Sequence, residues 1–79
     1  MYYVYVLETV SSPKKRYVGF TEDLRGRLRD HNDGKNISTR SQRPWVLRTY
    51  LGFSDKRRAL HFELYLKSGS GHAFLNTRL

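Results

Sequence analysis

Tyr5, Tyr17, Arg27, His31 and Glu63 are the side chains of this sequence whose types and positions can combine into chemistry. Hydrolysis of a phosphodiester needs an activated water, positive charge beside the crowded phosphate, and commonly a divalent metal held by carboxylate oxygen. These five residues supply each part. One glutamate suits Mg²⁺ or Mn²⁺, hard cations that prefer oxygen and keep several waters. Arg27 offers the charge for the phosphate. A tyrosine, with an ordinary pKa of about 10, is a poor base unless nearby positive charge lowers it, which Arg27 and a bound metal can do. Each residue also has a plain structural reading. Buried tyrosines are usually core residues, an inward arginine is often half of an ion pair, and Glu63 and Lys67 form an i, i+4 pair.

Other chemistries lack their parts. The chain has no Cys, hence no disulfide, thiolate zinc site or cysteine nucleophile. Its His residues lack zinc spacing, and no Ser, His and Asp arrangement supports a hydrolase triad. Gly69-Ser70-Gly71 neither follows a strand nor continues to a P-loop lysine.

The elements that must position these groups follow from the pattern. Tyr2 to Leu7 is an unbroken aromatic and branched run, as in a central strand covered on both faces, with Tyr3, Tyr5 and Leu7 on one of them. Turn residues Ser11-Ser12-Pro13-Lys14-Lys15 lead to a return strand, Arg16 to Phe20, so that Tyr5 and Tyr17 share a face and Gly19 leaves a gap there. Thr21 is a good N-cap for a helix from Glu22 to about Asp33, closed by Gly34. Its inward stripe reads Leu24, Arg27, Leu28 and His31, with Arg25, Arg29 and Asn32 outside.

Lys35 to Pro44 is a polar connection without a carboxylate, long enough to be either mobile or a binding loop. A third strand is predicted over Trp45 to Phe53, and a second helix, capped by Ser54 or Asp55, runs to about Lys67. There Ala59, Phe62, Glu63 and Leu66 share a side. Ser68-Gly69-Ser70-Gly71 is expected to break the chain before a last short helix, His72 to Arg78, with Phe74 and Leu75 inward. The order ββαβαα predicts an α+β sandwich, a three-stranded antiparallel sheet with flanking helices.

The 79 residues are expected to form one domain, and 38% apolar content excludes disorder. A formal charge of +8 makes a polyanion the natural partner. No membrane partner is expected, because basic residues are spread through the chain. MYYVYVL is too short for a membrane span and lacks the basic flank of a signal peptide, so the expected location is cytoplasmic.

These residues carry a family resemblance: the chain resembles the GIY-YIG nuclease domain. The first signature reads Tyr3-Val4-Tyr5 and the second Tyr17-Val18-Gly19. FTEDLRGRLRDHN is similar to the family's first helix, with its arginine ten residues after the second-signature tyrosine. RPW, the ALxxE of Ala59 to Glu63, and the closing YLKSGSGHAFLNTRL resemble the small single-domain bacterial branch. The resemblance covers essentially the whole chain. It implies a metal-dependent endonuclease in which Tyr17, or Tyr5 beside it, activates the attacking water, Arg27 contacts the scissile phosphate and Glu63 is the metal ligand. His31 matches a histidine of some homing-endonuclease members, where it shuttles a proton or orients water. Asn76 is the counterpart of an asparagine near the site in some members, across the glycine break. Tyr3 departs from the first-signature glycine, a change expected to alter packing at the strand start. Many family nucleases take their targets from a second domain, which is absent from these residues.

Two functions of different classes follow. The first is an endonuclease hydrolysing DNA, nonspecific or structure-selective, in repair or recombination, with Arg25, Lys35, Arg40 and Arg43 on the backbone and DNA favoured over RNA. The second is an accessory module that binds nucleic acid without cutting, beside a targeting protein; a structural ribosomal role is a third reading. All five site types are present, and an unpaired carboxylate on a packing face costs stability, which favours the enzyme. A Glu63 and Lys67 pair would explain that carboxylate without catalysis.

Overall fold

In the computed structural model, which describes residues 1–79, the aromatic and β-branched runs form the expected strands. They are β1 (Tyr2–Thr9), β2 (Arg16–Thr21) and β3 (Trp45–Phe53). The sheet is antiparallel throughout, in the order β2-β1-β3. β1 is therefore central and covered on both faces, as its composition predicts. Val4 and Val6 face one layer with Val18, Ala59, Leu66 and Leu75. Tyr5 and Leu7 face the other with Trp45, against Leu24, Leu28 and Leu47. Burying each such aliphatic side chain contributes about 1.5–3 kcal/mol, so the two layers depend jointly on β1.

Three helices cover the sheet: α1 (Leu24–Asn32), α2 (Lys56–Leu66) and α3 (Gly69–Arg78). α1 starts later than Thr21 predicted. The Asp23 side chain caps it, accepting from the Gly26 amide at 3.1 Å, while Thr21 ends β2 and accepts from the Asp23 amide at 3.0 Å. Gly34, at φ 81°, follows the helix end as its composition suggests. α2 is capped by Asp55, whose carboxylate accepts from the Arg57 amide at 3.0 Å.

The expected break at 68–71 is the first turn of α3. Ser68 caps it through the Gly71 amide, at 3.1 Å, and its hydroxyl donates to the Tyr65 carbonyl at 2.6 Å. The glycine serves packing here, since a Cβ on Gly71 would lie 1.7 Å from the Tyr65 carbonyl oxygen. α2 and α3 thus cross with backbone on backbone, and Leu75 reaches the core at 3% exposure.

Nor is the 35–44 connection free. It contains a 3₁₀ turn, Arg40–Gln42, and is fastened at Trp45, whose indole donates to the Thr39 carbonyl at 2.8 Å. Asn32 is not the outer-face residue its position in the helix suggests. Its side chain accepts from the Trp45 amide at 2.7 Å and donates to the Trp45 carbonyl at 2.9 Å, joining α1 to β3.

Gly71→Ala should destabilise the chain by about 3 kcal/mol, because backbone rather than a flexible side chain blocks the new methyl. Urea unfolding measures this; a change within about 0.5 kcal/mol would mean that α3 can lift without loss.

Candidate active site

The β1–β2 register places Tyr5 opposite Gly19 and Leu7 opposite Tyr17, so the two tyrosines lie diagonally on one face. The gap at Gly19 is filled by Tyr5: a Cβ there would come within 2.3 Å of the Tyr5 hydroxyl end. That close approach holds the ring down and directs its hydroxyl to His31, 2.9 Å from Nε2. The other ring nitrogen, Nδ1, is 2.7 Å from the Thr39 hydroxyl. Tyr17 stacks edge-on against the same imidazole, with ring centroids 5.0 Å apart.

His31 is fully buried, and Thr39 and Tyr5 are 1% and 3% exposed. A neutral imidazole satisfies this chain of three, accepting from one hydroxyl and donating to the other. An imidazolium would donate at both nitrogens and leave both hydroxyl protons without this acceptor. Burial first, and the charge of Arg27 second, hold the His31 pKa below its ordinary 6.5, with Asp30 opposing. Burial is also the largest cause raising the Tyr5 pKa. Tyr17 adds to it, Arg27 opposes it and Glu63 adds again. Tyr5 therefore keeps its proton at neutral pH.

Arg27 does not turn into the core as the helical stripe implies. Leu24, Leu28 and His31 face inward, whereas Arg27 is exposed at the edge of the stripe, its charge still acting on Tyr5 and His31. Glu63 sits on the packing side of α2 with a side chain 14% exposed, 2.7 Å from the Lys67 ammonium. Lys67 in turn lies 5.9 Å from the centroid of the Tyr17 ring. The structural pairing of Glu63 with Lys67 is therefore present, beside the Tyr17 ring.

The structure thus brings Tyr5, Tyr17, Arg27, His31 and Glu63 together from β1, β2, α1 and α2. Asn76 stands apart on α3, its side-chain oxygen 3.4 Å from Arg16 and facing a cavity that Tyr17 and Lys67 also line. Of the basic residues, Arg25 lies beside Glu22 and Asp23, and Lys35 is 3.6 Å from Asp30. Arg43 is exposed but donates to the carbonyls of Arg40 and Asn32, so it also braces the loop; Arg40 is exposed. Thr39 and Lys67 also contact this group, neither being among the residues expected there. Thr39 carries no sequence signal, whereas Lys67 does, as the i+4 partner of the flagged glutamate.

No three His, Asp or Glu side chains cluster in a way that holds a metal. Glu63 is the carboxylate of this group that could hold a cation. That suits Mg²⁺ or Mn²⁺, which keep most positions for water and phosphate oxygen, and the partner to be displaced is a half-exposed ammonium.

The neutral His31 also sets a pH dependence. Unfolded, it takes up a proton as pH falls through about 6.5; folded, it resists. Its contribution to stability is therefore complete above that value and is lost as pH falls towards the lowered folded pKa. Thermal unfolding between about pH 7.5 and about pH 5 should fall more steeply in the wild type than in His31→Gln. Equal slopes would show that His31 titrates as it does in water.

The chain matches the family model for the GIY-YIG catalytic domain over residues 1–76. It is 44% identical over 52 residues to the UPF0213 protein YazA of Bacillus subtilis (strain 168), covering 65% of this chain and 52% of that protein. It is 38% identical over 72 residues to a UPF0213 protein of Lacticaseibacillus paracasei, covering 90% and 79%. It is 33% identical over 69 residues to the structure-specific endonuclease subunit SLX1 of Candida dubliniensis, covering 78% and 24%. The chain therefore spans about half of the Bacillus relative and about a quarter of the fungal subunit. No solved structure matches it. A match that starts at Met1 and runs into α3 takes in the strands, helices and side chains described above, and the chain belongs to the GIY-YIG catalytic domain family.

Proposed function

We propose that this chain is a metal-dependent endonuclease that hydrolyses phosphodiester bonds in DNA. The observation that carries this reading is the meeting of Tyr17, Arg27 and Glu63 around a buried, neutral Tyr5 and His31 pair. Of the two tyrosines, Tyr17 is the base. It is half-buried and borders open space, whereas Tyr5 is sealed, bonded to His31 and shifted towards its neutral form. Acting as its phenolate, Tyr17 takes one proton from the attacking water and becomes the neutral phenol; as the new P–O bond forms, the bond to the leaving oxygen breaks and that oxygen takes a proton from solvent. Arg27 lies against the phosphate and offsets its developing charge. Tyr5 and His31 touch neither water nor phosphate; they are positioning residues that fix the ring beside which Tyr17 works.

Glu63 would hold the divalent cation, Mg²⁺ or Mn²⁺, which when bound neutralises phosphate charge and orients water. For Glu63 to hold a cation, Lys67 would have to give up its pairing with that carboxylate. The name structure-specific endonuclease subunit, borne by relatives 33% and 39% identical, supports structure-selective cutting, and a role in DNA repair or recombination is proposed with it. The word subunit also supports a partner protein for targeting. Arg25, Lys35, Arg40 and Arg43 hold the DNA backbone. No helix is long and apolar enough to cross a membrane, and a cytoplasmic place fits a DNA substrate.

Glu63→Ala should lower metal-dependent cleavage by about a thousandfold or more while DNA affinity stays within about threefold. Cutting at the wild-type rate would remove Glu63 from the metal role. The tyrosines separate in a second comparison. Tyr17→Phe should lose about 10²–10⁴ in the single-turnover rate, and Tyr5→Phe about tenfold. A Tyr17→Phe protein that cuts normally would return the base to Tyr5.

A further inference from the structure

The open space that Tyr17 borders is a concavity that neither Tyr5 nor His31 lines. It has a volume of about 560 Å³. Tyr17 and Val18 from β2, Leu66 and Lys67 from α2, and Leu75 and Asn76 from α3 form its walls. The Gly71 crossing creates it: with α3 pressed onto the end of α2, His72 and Asn76 are carried to the rim facing β2. Three cations, Lys14, Arg16 and Lys67, and one carboxylate, Glu8, line it.

The charges are arranged unequally. Glu8 is already taken by Arg16 at 3.4 Å and Arg48 at 3.3 Å, so it offers little to a cation from outside. Lys14 has no acidic partner; its ammonium donates only to the carbonyls of Val10, at 2.8 Å, and Thr9, at 3.3 Å. Asn76 keeps its amide N–H groups for a ligand, since its oxygen accepts from Arg16. The floor is the Tyr17 ring with the edges of Val18, Leu66 and Leu75. Cationic rim, apolar floor and a free amide are the three things a nucleotide needs: charge for phosphate, an apolar surface for the base, and a donor for its edge.

We infer that this cavity is a subsite for one nucleotide, the neighbour of the scissile phosphate, with its phosphate at Lys14 and Lys67 and its base over the apolar floor. This rests on the nuclease reading and deepens it. A cavity of about 560 Å³ is large enough for one nucleotide. The subsite shares Tyr17 and Lys67 with the catalytic group, and filling it draws the Lys67 ammonium towards phosphate and away from Glu63.

The test is a methyl NMR titration of the full chain with dAMP, and separately with inorganic phosphate. dAMP should move the Val18, Leu66 and Leu75 methyl signals saturably, and phosphate alone should not. His72→Glu, an exposed helical change at the rim, should weaken dAMP by about tenfold through charge repulsion. Methyl signals that stay still, that respond equally to phosphate, or that respond unchanged in His72→Glu would each overturn the subsite. The readout needs no cleavage. An inert enzyme with a working dAMP site would count against the nuclease, and an active enzyme with unmoved methyls against the subsite.

Discussion

A single imidazole, sealed between two hydroxyls, is the constraint from which this site is built. The chain from Tyr5 through His31 to Thr39 joins the central strand, the first helix and the long connection, and it does so with no water-exposed member. Each of the three would be costly to leave unpaired at that depth, so the elements that carry them are held in one relative position. Gly19 belongs to the same constraint, since only the absence of a side chain there lets the Tyr5 ring lie where its hydroxyl meets His31. The connection from 35 to 44 gains its shape this way too, through Thr39 and the Trp45 indole.

Electrostatics then set two residues of the same type in different environments. Burial favours the neutral form of Tyr5, and the edge strand leaves Tyr17 facing open space. Arg27 acts on both Tyr5 and His31 from an exposed position. Its charge lowers the His31 pKa and opposes the rise at Tyr5, yet the guanidinium is free to meet a phosphate. Lys67 keeps the partly buried Glu63 carboxylate paired, and in the proposed role a divalent cation would take the place of that ammonium.

Much of this was legible in the residues. Period-two alternation put Tyr5 and Tyr17 on one face, the short apolar opening run marked a central strand, and a polar residue on a packing stripe marked His31 and Glu63. The same helical period misplaced Arg27 and Asn32, because a stripe only one turn wide cannot say which flanking residue is exposed or which pairs with a neighbouring strand. Glycine misled for a related reason. Local chemistry makes Gly69 and Gly71 helix breakers, but at Gly71 the close crossing of two helices needs a residue without a Cβ, and tertiary packing outweighs propensity there. Thr39 was illegible because its partner is eight residues away across an irregular segment with no period to read.

The claim that all of this geometry serves hydrolysis is tested most directly by incubating the purified chain with branched, duplex and single-stranded DNA and with RNA, with Mg²⁺ or Mn²⁺ and with chelator. The account predicts metal-dependent cutting of DNA, absent in chelator. Tight binding without cutting on every substrate, in either metal, would contradict it and leave a nucleic-acid-binding module built on a catalytic fold.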